Sequence, residues 1–128
     1  MTRSVLLIED NEQNRYLATF LLERSGYAVW SFADGARGID AARSRTPSLI
    51  LLDIQLPTMD GYAVARALRE NHALRRVPIV AVTSYAMPGD REKALEAGCT
   101  GYIEKPINPD TFVDELERVL SVSLEGSP

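Results

Sequence analysis

The stretch SLILLD at residues 48–53 places four consecutive apolar residues before a carboxylate, Asp53. Similar short runs, rich in β-branched residues or leucine, recur along the chain at Val5–Ile8, Ala28–Phe32, Pro78–Val82 and Tyr102–Glu104. Several of these runs are apolar throughout instead of alternating, which is typical of strands covered on both faces in a parallel sheet. Each run is separated from the next by a segment long enough for a helix and its turns. The sequence therefore predicts a doubly wound α/β fold in which five strands alternate with five helices.

The intervening segments carry helix signals. Leu17, Leu21 and Leu22 form an apolar stripe that ends at Gly26, which predicts a first helix over roughly Glu12 to Ser25. Three further helices are predicted near Gly35–Arg45, Gly61–Glu70 and Asp90–Ala97.

The last helix is predicted from a cap and an apolar repeat. Asn108 is a suitable cap, Pro109 suits the first helical position, and Phe112 and Leu116 begin the helical spacing. The final stretch, Ser121–Pro128, is predicted to fray as a tail.

Length and composition limit what this chain can be. Its 128 residues, 45% of them hydrophobic and 25% charged, fit one globular domain. No run approaches the roughly 20 apolar residues of a membrane span, and the first five residues lack the apolar region of a secretory signal. We therefore expect a cytoplasmic protein without a membrane segment, and Met1 favours a natural start.

Net charge and cysteine content limit the kinds of partner and of metal or redox site that this chain can have. A net charge of -4 argues against direct nucleic-acid binding, so we expect protein partners. Cys99 is the only cysteine, which excludes an internal disulfide and any CxxC metal or redox motif. We expect it to be a small buried residue.

Polar side chains follow four of the predicted strands. They are Glu9 and Asp10 after the first strand, Asp53 after the third, Thr83 and Ser84 after the fourth, and Lys105 after the fifth. In an open parallel sheet, ligands bind beyond the carboxyl ends of the strands, near the point where the winding reverses. A single acid after a strand is usually a cap or turn residue, so the convergence of several is the main indication of a site.

Three crowded carboxylates indicate a cation. Their mutual repulsion destabilises an empty site, and oxygen ligands without a soft competitor favour Mg²⁺. Lys105 supplies positive charge and Thr83 a hydroxyl donor, both suited to the oxygens of a phosphoryl group in transfer. Asp53 is then the candidate nucleophile.

Four segments of the chain resemble the signature segments of response-regulator receiver domains. They are Ile8–Asn11, Leu51–Pro57 continued to Asp60–Gly61, Ala81–Ser84 and Tyr102–Pro106. The resemblance covers about Arg3 to Leu120. Asn14, Gln55 and the stretch Ala86–Asp90 are particularly similar to single-domain cell-cycle regulators and to the receivers of hybrid kinases. It implies a flavodoxin-like (βα)5 fold with strand order 2-1-3-4-5, a receiver domain at 1–122 and a flexible tail at 123–128.

The resemblance also implies a role for each matching residue. Asp53 is the phosphoacceptor and, with Asp10, a direct magnesium ligand, while Glu9 binds the ion through water and Gln55 through its backbone carbonyl. Thr83 and Lys105 bind the phosphoryl oxygens, and the Lys105–Pro106 bond is cis. Thr83 and Tyr102 form the switch.

Two residues are candidates for setting the lifetime of the phosphorylated state. Gln55 lies two residues beyond Asp53, and Tyr85 two beyond Thr83, so both are expected to flank the route of an attacking water. The glutamine amide can orient water, whereas the tyrosine ring excludes it.

The implied function is signalling. A histidine kinase or histidine phosphotransferase donates the phosphoryl group, and the domain, a monomer or weak dimer, catalyses its own phosphorylation and slow dephosphorylation. The chain has no room for an output domain after Leu120, so a downstream protein effector is expected to read the receiver surface.

Two alternatives use related chemistry or the same architecture. A hydrolase of the haloacid-dehalogenase type also forms an aspartyl intermediate, but it resembles Asp-x-Asp where this chain has Asp53-Ile54-Gln55. Flavin binding would require a hydroxyl-rich phosphate loop after the first strand, where Glu9 and Asp10 would repel a phosphate.

Overall fold

The computed structural model describes residues 3–56, 59–84 and 88–125, with side chains to residue 121. The strands are β1 (Ser4–Ile8), β2 (Ala28–Phe32), β3 (Leu49–Asp53), β4 (Ile79–Thr83) and β5 (Gly101–Glu104). The helices are α1 (Glu12–Arg24), α2 (Gly35–Ser44), α3 (Gly61–Glu70), α4 (Asp90–Glu96) and α5 (Phe112–Glu125), and a 3-10 turn spans His72–Leu74. Within the described ranges, no helix combines the length and the apolar character that crossing a bilayer requires.

The strands form one parallel sheet in the order β2-β1-β3-β4-β5. This confirms the predicted doubly wound, flavodoxin-like arrangement. Since β1 lies between β2 and β3, the winding reverses at the β1–β3 pair, where Ile8 lies opposite Leu52. The carboxyl ends of β1 and β3 therefore flank the crevice in which such folds bind ligands.

Each face of the sheet is covered by its own helical layer, which explains the continuous apolar runs. Leu6 and Ile8 point into a cluster shared with α2, α3 and α4, whereas Val5 and Leu7 point into one shared with α1 and α5. Every residue of β3 and β4 is buried. Full burial of a leucine or valine side chain stabilises a fold by about 1.5–3 kcal/mol, so the two central strands anchor the site at their ends.

The last helix differs from its prediction at its start. The structure places residues 109–111 in a turn, and the α-helix begins at Phe112 instead of Pro109. The Asn108 side chain accepts a hydrogen bond from the Asp110 N–H at 2.9 Å, as a cap does. The Asn108 carbonyl is shared by the Thr111 and Phe112 N–H groups at 3.1 and 2.9 Å, so a tight turn leads into the regular helix. At its other end α5 continues to Glu125, so residues 121–125, which the sequence analysis assigned to a fraying tail, are helical. The division at residue 122 stays a prediction.

A half-buried arginine, Arg69, connects three segments at the amino-terminal edge of the sheet. The Arg69 guanidinium donates through Nη1 to the carbonyls of Leu74 and Val77, both at 2.7 Å, and through Nε to that of Gly98 at 2.8 Å. Burial lowers the pKa of Arg69. These bonds join the end of α3 to the 3-10 turn, to the start of β4 and to the turn after α4.

Candidate functional site

The predicted site residues lie together at the carboxyl edge of the sheet. Asp53 and Thr83 are the last residues of β3 and β4, and Glu9 and Lys105 directly follow β1 and β5. Main-chain hydrogen bonds hold the residues just beyond the strands, because the Glu9 N–H donates to Phe32 at 3.0 Å and the Lys105 N–H to Thr83 at 2.8 Å. The site is thus built on rigid backbone.

Three carboxylates form the acidic cluster of Glu9, Asp10 and Asp53. One oxygen from each lies within 4.8 Å of the others. Glu9 and Asp53 are 3% and 2% exposed, whereas Asp10 is open to solvent. Oxygen donors of this kind, with one side open to water, fit a hard divalent cation such as Mg²⁺.

Lys105 reaches into this cluster. Its Nζ lies 3.0 Å from Glu9 Oε1 and 3.2 Å from Asp53 Oδ2, and the Lys105–Pro106 bond is cis, as the resemblance implies. Burial acts to lower the pKa of the Lys105 ammonium, but Glu9 and Asp53 outweigh it and raise the pKa. The lysine is therefore a fixed positive charge beside Asp53.

The carboxylates differ in pKa. Burial, and next the neighbouring Asp53, raise the pKa of Glu9 to about 7. Burial alone would also raise the pKa of Asp53, but hydrogen bonds from Glu9 and the Gln55 N–H, together with the charge of Lys105, lower it. The pKa of Asp53 is thus lowered where that of Glu9 is raised, which favours Asp53 as the carboxylate that acts as a nucleophile.

Hydrogen bonds orient both buried acids. Asp53 Oδ1 accepts from the Gln55 N–H at 2.9 Å, and Glu9 Oε2 accepts from the Asn11 N–H at 3.1 Å. The Gln55 side chain also makes a hydrogen bond: its Oε1 accepts from the Ser84 N–H at 3.0 Å. This bond connects the loop after β3 to the loop after β4.

Sequence reasoning missed one supporting residue. Arg15 on α1 donates from Nη1 to the carbonyl of Glu9 at 2.9 Å and to that of Asp10 at 3.4 Å. It thereby holds the main chain that carries both acids. Its position after the Glu9–Asp10 pair gives no sequence signal, since the contact is to backbone and not to a side chain.

The structure describes three of the four predicted switch and lifetime residues, namely Thr83, Tyr102 and Gln55. Thr83 is buried, and Tyr102 is half-buried on β5 opposite Ala81, two residues before Thr83 on the neighbouring strand. Tyr85 lies outside the described residues. The switch pair, the lifetime role of Gln55 and Tyr85, and the backbone carbonyl of Gln55 as a metal ligand stay predictions.

Comparison with known proteins identifies what the chain is similar to. Residues 5–117 match the model of the response regulator receiver domain. The polar-differentiation response regulator DivK of Brucella ovis is 42% identical over 120 residues, which cover 94% of this chain and 98% of that protein.

Two solved structures extend the comparison. The Vibrio cholerae chemotaxis protein CheY4 has a TM-score of 0.89 at 28% identity, covering 93% of this chain and 99% of that one. The receiver domain of the Pseudomonas aeruginosa sensor histidine kinase PA1611 has a TM-score of 0.84 at 36% identity, covering 94% and 99%. In that structure a magnesium ion is coordinated in the active site cleft.

Proposed function

The chain belongs to the response regulator receiver family, and from that premise we propose that Asp53 accepts a phosphoryl group from a histidine donor in a magnesium-dependent reaction. The observation that carries the proposal is the Asp53 carboxylate, which is buried and lies 3.2 Å from the Lys105 ammonium within a cluster of acids. We also propose that the protein works in the cytoplasm.

The residues of the site divide the work of the transfer. An Asp53 oxygen forms a bond to phosphorus while the bond from phosphorus to the donor imidazole nitrogen breaks, and the imidazole keeps the electron pair. Lys105 balances charge on the phosphoryl oxygens, and the Thr83 hydroxyl donates to one of them.

Magnesium, when bound, supplies the positive charge that offsets the acids and the incoming phosphoryl oxygens. Asp10 and Asp53 would hold it directly, Glu9 through water, and Gln55 through its main-chain carbonyl. The same groups would support self-catalysed phosphorylation from small phosphodonors and slow hydrolysis of the product.

The signal would leave through the face made by α4, β5 and α5. This face carries a cavity of about 230 Å³ whose lining includes Leu95, Tyr102 and Arg118. Tyr102 thus lies both on the predicted switch and at the surface that a downstream protein effector would contact. A histidine kinase or phosphotransferase is the proposed donor.

Intact-mass measurement tests the proposal. With Mg²⁺ and acetyl phosphate or a histidine kinase, we expect the protein to gain one phosphoryl group and the Asp53→Asn variant to gain none. Asp40→Asn is a matched control, because Asp40 is exposed on α2 and pairs with Arg43 outside the site. Undiminished labelling of Asp53→Asn, or labelling on Ser84, would contradict the proposal.

A further inference from the structure

Gln55 makes contact with the phosphoacceptor and with the neighbouring loop at the same time. Its main-chain N–H donates to Asp53 Oδ1 at 2.9 Å, and its side-chain Oε1 accepts from the Ser84 N–H at 3.0 Å. Ser84 directly follows Thr83, the last residue of β4. One residue therefore connects the carboxylate to the main chain beyond the fourth strand.

A phosphoryl oxygen could replace Gln55 Oε1 as the acceptor for the Ser84 N–H. The Ser84 N–H can bond one acceptor well, and in this structure that acceptor is a neutral amide oxygen. A phosphoryl group on Asp53 would bring anionic oxygens to the same rim, because Asp53 lies opposite Val82, two residues before Ser84. Charge-assisted hydrogen bonds are roughly twice as strong as neutral ones. The Ser84 N–H would therefore bond to the phosphoryl oxygen in preference to Gln55 Oε1.

We propose that Gln55 is a positioning residue that holds the Ser84 main chain in the unphosphorylated conformation and releases it to the phosphoryl group. The release half of this inference rests on the proposed function, since it requires phosphorylation of Asp53. The holding half concerns the unphosphorylated protein alone. Gln55 would thereby make the loop after β4 sensitive to the state of a residue on β3.

Amide hydrogen exchange measured by NMR tests the holding half. Gln55→Met keeps the length of the side chain and removes the acceptor, so the Ser84 amide should exchange about five-fold faster than in the unmodified protein. Gln55→Ala should give the same result if the longer side chain disturbs folding. Ser84→Ala is the matched control, because it keeps the main-chain donor and should keep its protection. Unchanged exchange in both Gln55 variants would overturn the inference.

The release half is tested by phosphorylation with acetyl phosphate and Mg²⁺. We expect the amide proton resonance of residue 84 to move on phosphorylation in the unmodified protein and in Ser84→Ala. A phosphorylated protein in which this resonance stays in place would overturn the release. Absence of any label on Asp53 would instead overturn the proposed function and the release with it, while the exchange rates would still decide whether Gln55 holds Ser84.

Discussion

Asp10 is the exposed member of the acidic cluster, and burial followed by the nearby Asp53 raises its pKa. Asp10→Asn removes one of the mutually repelling charges, so we expect the metal-free protein to become more stable by about 1 kcal/mol, the value being kept small by solvent screening. The melting temperature in a chelator should rise by about 4 °C. Magnesium should then stabilise this variant less than the unmodified protein, because the variant lacks a proposed ligand of the ion.

The control for this prediction is again Asp40→Asn, which changes the net charge equally without touching the cluster. It should leave the magnesium-induced rise in melting temperature unchanged. A metal-free Asp10→Asn protein that melts lower than the unmodified one would mean that the acids are not under mutual strain.

Cys99 gives a pH dependence that is separate from the site. Burial raises the pKa of its thiol from 9.0 to about 11, and the side chain is 5% exposed. The folded protein therefore binds more protons than the unfolded chain between these pH values. The stability that this difference contributes is complete below pH 9 and is lost as the pH rises through 11, by an amount on the order of 2 kcal/mol.

Urea unfolding of the unmodified protein and of Cys99→Ala at pH 8.5 and 11 measures this effect. The unmodified protein should lose more stability than the variant between the two conditions, since the other titrating groups are common to both. Equal losses would show that the thiol does not ionise differently on unfolding.

Residue identities at the site were predictable because each residue lies at or directly after the end of a predicted strand. Glu9, Asp53 and Lys105 need only the strand assignments and the rule that parallel strand ends meet at one edge. The bonds from Arg15 to two carbonyls and from the Ser84 N–H to Gln55 Oε1 were not predictable. They depend on where main-chain atoms lie after folding, which residue type does not encode.

At the scale of elements, the start of α3 is fixed by close backbone contact at Gly61. A Cβ added to Gly61 would collide with the Cα of Ile54 and lie 2.7 Å from its carbonyl oxygen, and the Gly61 N–H donates to that oxygen at 3.1 Å. Backbone cannot move aside as a flexible side chain can. Gly61→Ala should therefore cost at least about 2 kcal/mol of unfolding free energy.

Gly26→Ala is the comparison, because Gly26 has a positive φ of 96° but open space around its Cβ position. It should cost about 1 kcal/mol, from backbone strain alone. Urea unfolding of both variants gives the two values, and a Gly61→Ala protein as stable as Gly26→Ala would mean that α3 shifts freely away from Ile54.

The predicted ranges of α1 to α4 start at the observed residue and end within one residue of the observed helix. The predicted start of α5 at Pro109 was wrong, because the Asn108 carbonyl is shared by the Thr111 and Phe112 N–H groups and a tight turn precedes the regular helix. Asn108 itself makes the side-chain bond expected of a cap. The 3-10 turn after α3 was not predicted, since its three residues carry no periodic signal.

At the scale of the whole molecule, phosphorylation should alter the α4, β5 and α5 face more than the opposite side of the sheet. Ala94 is the buried residue of α4, and Leu95 is 48% exposed, so this helix has little apolar anchorage. Amide exchange of phosphorylated against free protein should show its largest changes there. Changes confined to α2 would contradict this expectation.

The place of the site was predictable at this scale because buried strands and their polar ends carry strong patterns. The resemblance supplied the strand order, since apolar runs alone do not say which neighbours pair.

Arg69 has a mechanical consequence for α4. The Arg69 Nε donates to the Gly98 carbonyl, which lies just after the carboxyl end of α4. The Cys99 N–H donates to the Ala94 carbonyl at 2.9 Å. Together these bonds hold the carboxyl end of α4 to α3. The amino end follows Gly89, whose φ is 95°. We therefore expect any displacement of α4 to be smallest near Gly98 and largest near Asp90. A partner protein that senses the position of α4 would therefore be most sensitive if it bound the first turn of the helix, beside Arg91.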